Sequence, residues 1–286
     1  MGENGGVPWF PEFVSAVELV RRETRSEGLA DPVGQYFRAL EHGDVKVLET
    51  VWPGKVIVHD PRYGEVRGHR HLRKFVTRSQ RWLVERDARI ETVAATCVDG
   101  RAVVEMLAHL AGDDGRDIDW PIAVVAESAD DRSVVIRTYC SQWPIDGRRH
   151  LRAAMLDAAA TEPGDVVGRY QAALAAGDIA AIVATFAPDG YLREPIGPHA
   201  VHRGFDELRA FFAQTFGAGG GIGLQPCVLT DDGSRCALEF NCIRWGRYDL
   251  PPQAGICIFD RNPDGLLSGV RMYDDVEPIK APEPRG

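Results

Sequence analysis

The chain has 286 residues, 44% of them hydrophobic and 26% charged, the balance of an ordinary globular protein about two domains long. Its formal net charge of −9 provides no field that would draw in nucleic acid or anionic lipid, so neither is expected as a partner. No apolar run approaches the roughly 20 residues that cross a bilayer. The amino terminus, MGENGGVPWF, lacks the basic start and apolar stretch of a signal peptide, so a cytoplasmic location is expected.

Self-similarity organises the sequence. DPVGQYFRALEHGD, starting at Asp31, recurs as DVVGRYQAALAAGD, starting at Asp165, an offset of 134 residues. The same offset carries Tyr36 to Tyr170, Trp52 to Phe186, Asp60-Pro61 to Glu194-Pro195, Glu105 to Glu239, and Arg137-x-Tyr139 to Arg271-x-Tyr273. The chain is therefore duplicated. Residues 1–30 read as an N-terminal extension helix, 31–146 as the first domain, 147–164 as a linker and 165–280 as the second domain, with a loose tail after it.

In chain order, each copy opens with an amphipathic helix ending at Gly-Asp (Gly43-Asp44, Gly177-Asp178), glycine suiting a helix C-terminus and aspartate an N-cap. A short second helix follows, VKVLETVW or IAAIVATF. A strand then runs into Asp/Glu-Pro, and a third helix comes next, HLRKFVTRSQRWL or FDELRAFFAQTF. Alternating strands complete the unit, for example RAVVEMLAHLA, WPIAVVAE and SVVIRTYCSQW in the first copy. Helices first and strands afterwards give an α+β fold, with three helices on one face of a curved antiparallel sheet. The six cysteines form no C-x-x-C pair, and five lie in apolar strand-like stretches, where free buried thiols are expected.

With GRYQAALAAGDIAAIVATFAPDGYLREPIGPHAVHRG, FFAQTFGAGGG and ICIFDRNPDGLLSGVRMYDDV in view, the second copy resembles a ketosteroid isomerase. The pair resembles the wider NTF2-like/SnoaL-like superfamily, the first copy through GQYFRALEHGD, VIVHDPRYGEVRG and IRTY. The resemblance implies two tandem cone-shaped domains. It also implies a tyrosine that donates to a substrate carbonyl, Tyr170 and Tyr36, and a carboxylate that shuttles a proton, Glu194 and Asp60. The isomerases' protonated aspartate on a late strand falls here at Gly255 and near Ile122, neither of them acidic.

Proton transfer beside a carbonyl needs a base at the carbon and a donor at the developing enolate oxygen. Trp52, Trp120, Phe186, Phe211, Phe212 and Trp245 are expected as apolar pocket walls, with Glu105 and Glu239 as second pocket acids. The outward position on an alternating strand stays open for both glutamates, and Asp274 and Asp275, after the last strand, read as solvated. His69 and His71 cannot share a metal from i and i+2 of a helix, and His199 and His202 lack a third ligand. GAGGG lacks the Lys-Ser/Thr of a phosphate loop and reads as a flexible turn.

These residues point to a cofactor-independent, metal-free isomerase or cyclase acting on a hydrophobic polycyclic or polyketide-like molecule, in natural-product metabolism. An epoxide hydrolase of the tandem polyether type and a non-catalytic binding or dimerisation module are the alternatives. The two copies are expected to pack as an intrachain pseudo-dimer and the protein to be a monomer in solution, as related domains commonly dimerise through the sheet.

Overall fold

A computed structural model describes residues 54–98, 100–130, 133–159, 163–217 and 219–276. The helix expected over 1–30, Tyr36, Trp52, the two helices expected to open copy one, and the expected tail lie outside these residues. The chain divides into two units between Asp146 and Gly147.

The first unit contains β1 (Val56–Asp60), β2 (Gly64–Arg67), α1 (His69–Val84), β3 (Arg89–Val98), β4 (Arg101–Ala111), β5 (Asp117–Asp130), β6 (Ser133–Tyr139) and the single turn α2 (Trp143–Asp146). The second contains α3 (Val166–Ala176), α4 (Ile179–Val183), β7 (Phe186–Arg193), β8 (Val201–Arg203), α5 (Gly204–Thr215), β9 (Gly221–Asp231), β10 (Arg235–Gly246), β11 (Tyr248–Arg261) and β12 (Leu267–Met272). The two six-stranded sheets have the same order, β2-β1-β6-β5-β4-β3 and β8-β7-β12-β11-β10-β9. The fold is α+β and two-domain. Each sheet is antiparallel except at one junction, β1 with β6 and β7 with β12, which run parallel.

The helix boundaries of the second unit follow from capping. Asp165 accepts a hydrogen bond from the Val167 amide, and Asp178 accepts one from Ala181, each satisfying an otherwise orphaned N–H. Gly177, between them, ends α3 in the left-handed conformation at φ 71°. α3 buries Val166, Val167, Tyr170, Ala173 and Leu174, a stripe at helical spacing that delivers the tyrosine ring to the interior.

Strand alternation sorts the faces. In β10, Cys236, Leu238, Phe240 and Cys242 join the core of the second unit. In β4, Val104, Met106, Ala108 and Leu110 join that of the first. The intervening residues point the other way. The repeated arginines also hold matching places. Arg101 and Arg137 both donate to Glu127, and Arg235 and Arg271 both donate to Asp260.

The 147–159 stretch is tied along the second sheet. Where β12 has ended, residues 152–154 run beside β11, with Ala154 donating to the Pro252 carbonyl and Ala254 to that of Arg152. Asn241 reaches the Leu156 carbonyl at 2.9 Å.

Candidate functional site

In the second unit, residues of α3, α5 and the sheet line a cavity of about 370 Å³. Its wall is largely apolar, formed by residues such as Leu174, Leu192, Phe211, Phe212, Phe240 and Trp245. Among the polar residues that line it are Tyr170, Glu194, His202 and Asp274, together with Arg149, Gln214 and Thr215.

Tyr170 is 3% exposed, and its ring meets Phe186, Phe212 and Phe259 edge-on at 5.9, 6.4 and 5.5 Å. Three aromatic edges fix the ring and aim the hydroxyl. Burial, and secondarily the nearby Cys257, push the phenol above its ordinary range, so it remains a neutral donor. Among the described residues, no hydrogen bond engages that hydroxyl.

Glu194 follows β7, and its backbone amide donates to the Ala200 carbonyl, closing the 195–199 loop. Its side chain sits two residues beyond Leu192, on the same side of the strand, and both line the cavity. His202 Nε2 lies 2.8 Å from Glu194 Oε1.

Asp274 was not legible as a site residue. It is buried, with Oδ1 accepting the Ile256 amide at 2.7 Å. Burial pushes its carboxyl up to about 7, against the pull of the Ile256 hydrogen bond. The space it fills is that of a missing side chain. A Cβ on Gly255 would lie 2.7 Å from both Cγ and Oδ2 of Asp274. The signal in the sequence is period two, because Met272, Asp274 and Val276 all line the cavity, so strand alternation continues past the end of β12.

The remaining sequence candidates separate. Phe211, Phe212 and Trp245 line the cavity, whereas Phe186 is core behind Tyr170. Glu239 turns away from the cavity: it pairs with Ile256 on the opposite sheet face, one residue out of phase with Leu238 and Phe240, and is buried there. Glu105 does the same in β4, opposite Ala123 and out of phase with the core residues Val104 and Met106. Trp120 packs in the first unit's core, edge-on to Trp82, with Nε1 donating to the Ser141 carbonyl at 2.7 Å. Asp60 is buried, and its Oδ1 accepts the amides of Arg62 and Tyr63, the hydrogen bonding of an aspartate turn. At the repeat offset, the position of Asp274 is Cys140 in the first copy.

The SnoaL-like domain matches residues 33–136 and again 167–267, more than half of the chain. The protein belongs to the SnoaL-like family. No curated protein matches the sequence. Among solved structures, a candidate polyketide cyclase from Sinorhizobium meliloti is 22% identical, covering 38% of this chain and 93% of its own, with a TM-score of 0.32. A Catenulispora acidiphila protein with a ketosteroid isomerase-like fold, solved with trimethylamine, is 17% identical over 41% of this chain and 88% of its own, at a TM-score of 0.33. SalBIII, an epoxide hydrolase/cyclase-like enzyme of pyran formation in the polyether salinomycin, is 21% identical over 38% of this chain and 86% of its own, at 0.32.

Proposed function

We propose that the second domain of this SnoaL-like protein is a cofactor-independent proton-transfer enzyme, an isomerase or cyclase acting on a hydrophobic polycyclic or polyketide-like ketone. One observation carries the reading: a buried tyrosine and two carboxyl groups in unlike environments meet in one apolar cavity. Glu194 is the base, and it takes a proton from the carbon beside the carbonyl as the electron pair moves onto oxygen. Tyr170 and the neutral form of Asp274 donate to the developing enolate oxygen in a site where water is scarce and each donor counts for more. Returning the proton at another carbon isomerises the substrate, and attack of the enolate on a second carbonyl closes a ring, the resulting alkoxide taking the proton back from Glu194.

The same pair of carboxyls supports a second reading. A neutral Asp274 could protonate an epoxide oxygen while Glu194 activates the attacking water. Both readings place the chemistry in the second domain, because the first has Cys140 at the Asp274 position and an Asp60 engaged by two backbone amides.

The test is hydrogen exchange in D₂O at the α-carbons of 2-tetralone, a bicyclic ketone, followed by proton NMR. Wild type accelerates exchange over buffer, and Glu194→Gln, which keeps the shape but not the basicity, lowers the rate by about 10²–10⁴-fold. A Glu194→Gln protein as fast as wild type would remove Glu194 from this role.

A further inference from the structure

We infer that His202 is the positioning residue of the site, holding one oxygen of Glu194 so that the other is presented to the substrate. The inference rests on the proposed role of Glu194 and adds a residue that role alone does not require.

The placement follows from strand register. β7 and β8 pair antiparallel, with Leu192 opposite His202 and Arg193 opposite Val201. Leu192, Glu194 and His202 all line the cavity. Glu194 lies beyond the last paired rung, where its amide bond to the Ala200 carbonyl turns the chain back, so its side chain comes diagonally onto the imidazole. The contact, Nε2 to Oε1, is 2.8 Å. With the imidazole in the Nε2–H tautomer, the ring donates and the carboxylate accepts. Among the described residues, no hydrogen bond engages the other oxygen, Oε2.

The imidazole is itself fixed. It stacks on Phe211 of α5, with centroids 4.3 Å apart and planes inclined by 27°. Phe211 packs edge-on against Phe212, which is buried in the core. A rigid chain thus runs from the core through Phe212, Phe211 and His202 to one oxygen of the base. A free glutamate side chain in an apolar cavity would sample several rotamers, and ordering it costs conformational entropy. The stacked imidazole meets that cost in the folded state, before substrate arrives.

The repeat supplies an internal comparison. The rung Leu192–His202 corresponds to Val58–Val66 in the first sheet, where β1 pairs with β2. A valine there cannot donate, and Asp60 is instead engaged by the amides of Arg62 and Tyr63. Among the described residues, this rung carries an imidazole in the second unit and a valine in the first.

The experiment compares His202→Ala and His202→Gln, the latter keeping an N–H donor on a flexible chain, in 2-tetralone exchange. It is paired with imidazole ¹H–¹⁵N NMR of wild type and Glu194→Ala. In His202→Ala, kcat falls by about 10- to 100-fold from misplacement of the base, with KM little changed, and His202→Gln recovers a substantial part of the loss. The NMR shows the His202 proton on Nε2 in wild type and loss of that preference in Glu194→Ala, whatever the reaction. A His202→Ala enzyme with wild-type kcat, no recovery in His202→Gln, or a wild-type proton on Nδ1 overturns the inference. An active Glu194→Gln instead sinks the functional reading, leaving the NMR arm to judge the hydrogen bond alone.

Discussion

The carboxyl carbon of Asp274 lies 2.7 Å from the point where a Cβ on Gly255 would stand. That point faces the cavity, because Gly255 pairs with Phe240 across β10 and β11 and Phe240 lines the cavity. One strand thus omits a side chain where the continuation of its neighbour supplies an acid. Gly255→Ala would bring the new methyl within 2.6 Å of Phe240 Cζ as well as onto the carboxyl. Overpacking of this kind costs about 1–3 kcal/mol, and urea unfolding should report a loss in that range together with displacement of Asp274.

Asp274 gives the site a pH dependence with a defined sign. As a free side chain it would ionise near 3.8, and in the fold its pKa is raised to about 7. The folded state therefore holds this proton more tightly than the unfolded chain. Its contribution to stability is complete below about pH 4, declines as pH rises toward 7, and is level above that. Asp274→Asn should remove this component of the decline, seen as a smaller fall in Tm between pH 4 and pH 8 than in wild type.

Activity should follow the same group. Below about pH 7 Asp274 can donate, and above it an ionised carboxylate would face a developing enolate. The wild-type exchange rate should fall across that limb, whereas Asp274→Asn, which donates at every pH, should lack the limb. Tyr170→Phe removes one donor and should lower the rate by on the order of 10²–10³-fold at all pH values. Neither substitution should unfold the protein, since each is nearly isosteric.

The thiols should be inert. Burial raises the pKa of Cys227, Cys242 and Cys257, that of Cys242 to about 12, so thiolate is scarce at ordinary pH. Ellman's reagent at pH 8 should react promptly only with Cys97, the one cysteine not fully buried, and should titrate all six after denaturation.

The repeat and the cap between the first two helices of the second copy were legible because each depends on local chemistry at a fixed spacing: Gly177 at its left-handed turn and Asp178 at the Ala181 amide. Tyr170 and Glu194 were legible through the resemblance of the second copy to an enzyme family. Asp274 was not, because an acid after a strand normally ends in water, and only the tertiary vacancy at Gly255 makes room for it. The phase of a strand was also not legible. Glu105 and Glu239 have apolar neighbours on both sides, and a one-residue shift decides which face of the sheet each occupies. His202 was hidden for a similar reason, since its partner is set by the register of β7 against β8.

The central claim, that Tyr170 and Asp274 donate into the cavity served by Glu194, is tested most directly by binding of 2-naphthol, a stable planar mimic of the 2-tetralone enol. Fluorescence titration at pH 6 should show wild type binding it, with Tyr170→Phe weakening the affinity by about tenfold, the worth of one buried hydrogen bond. Asp274→Leu should weaken it by a similar factor, while Asp60→Asn leaves it unchanged. Equal affinity in wild type, Tyr170→Phe and Asp274→Leu, or loss of binding in Asp60→Asn alone, would contradict the account.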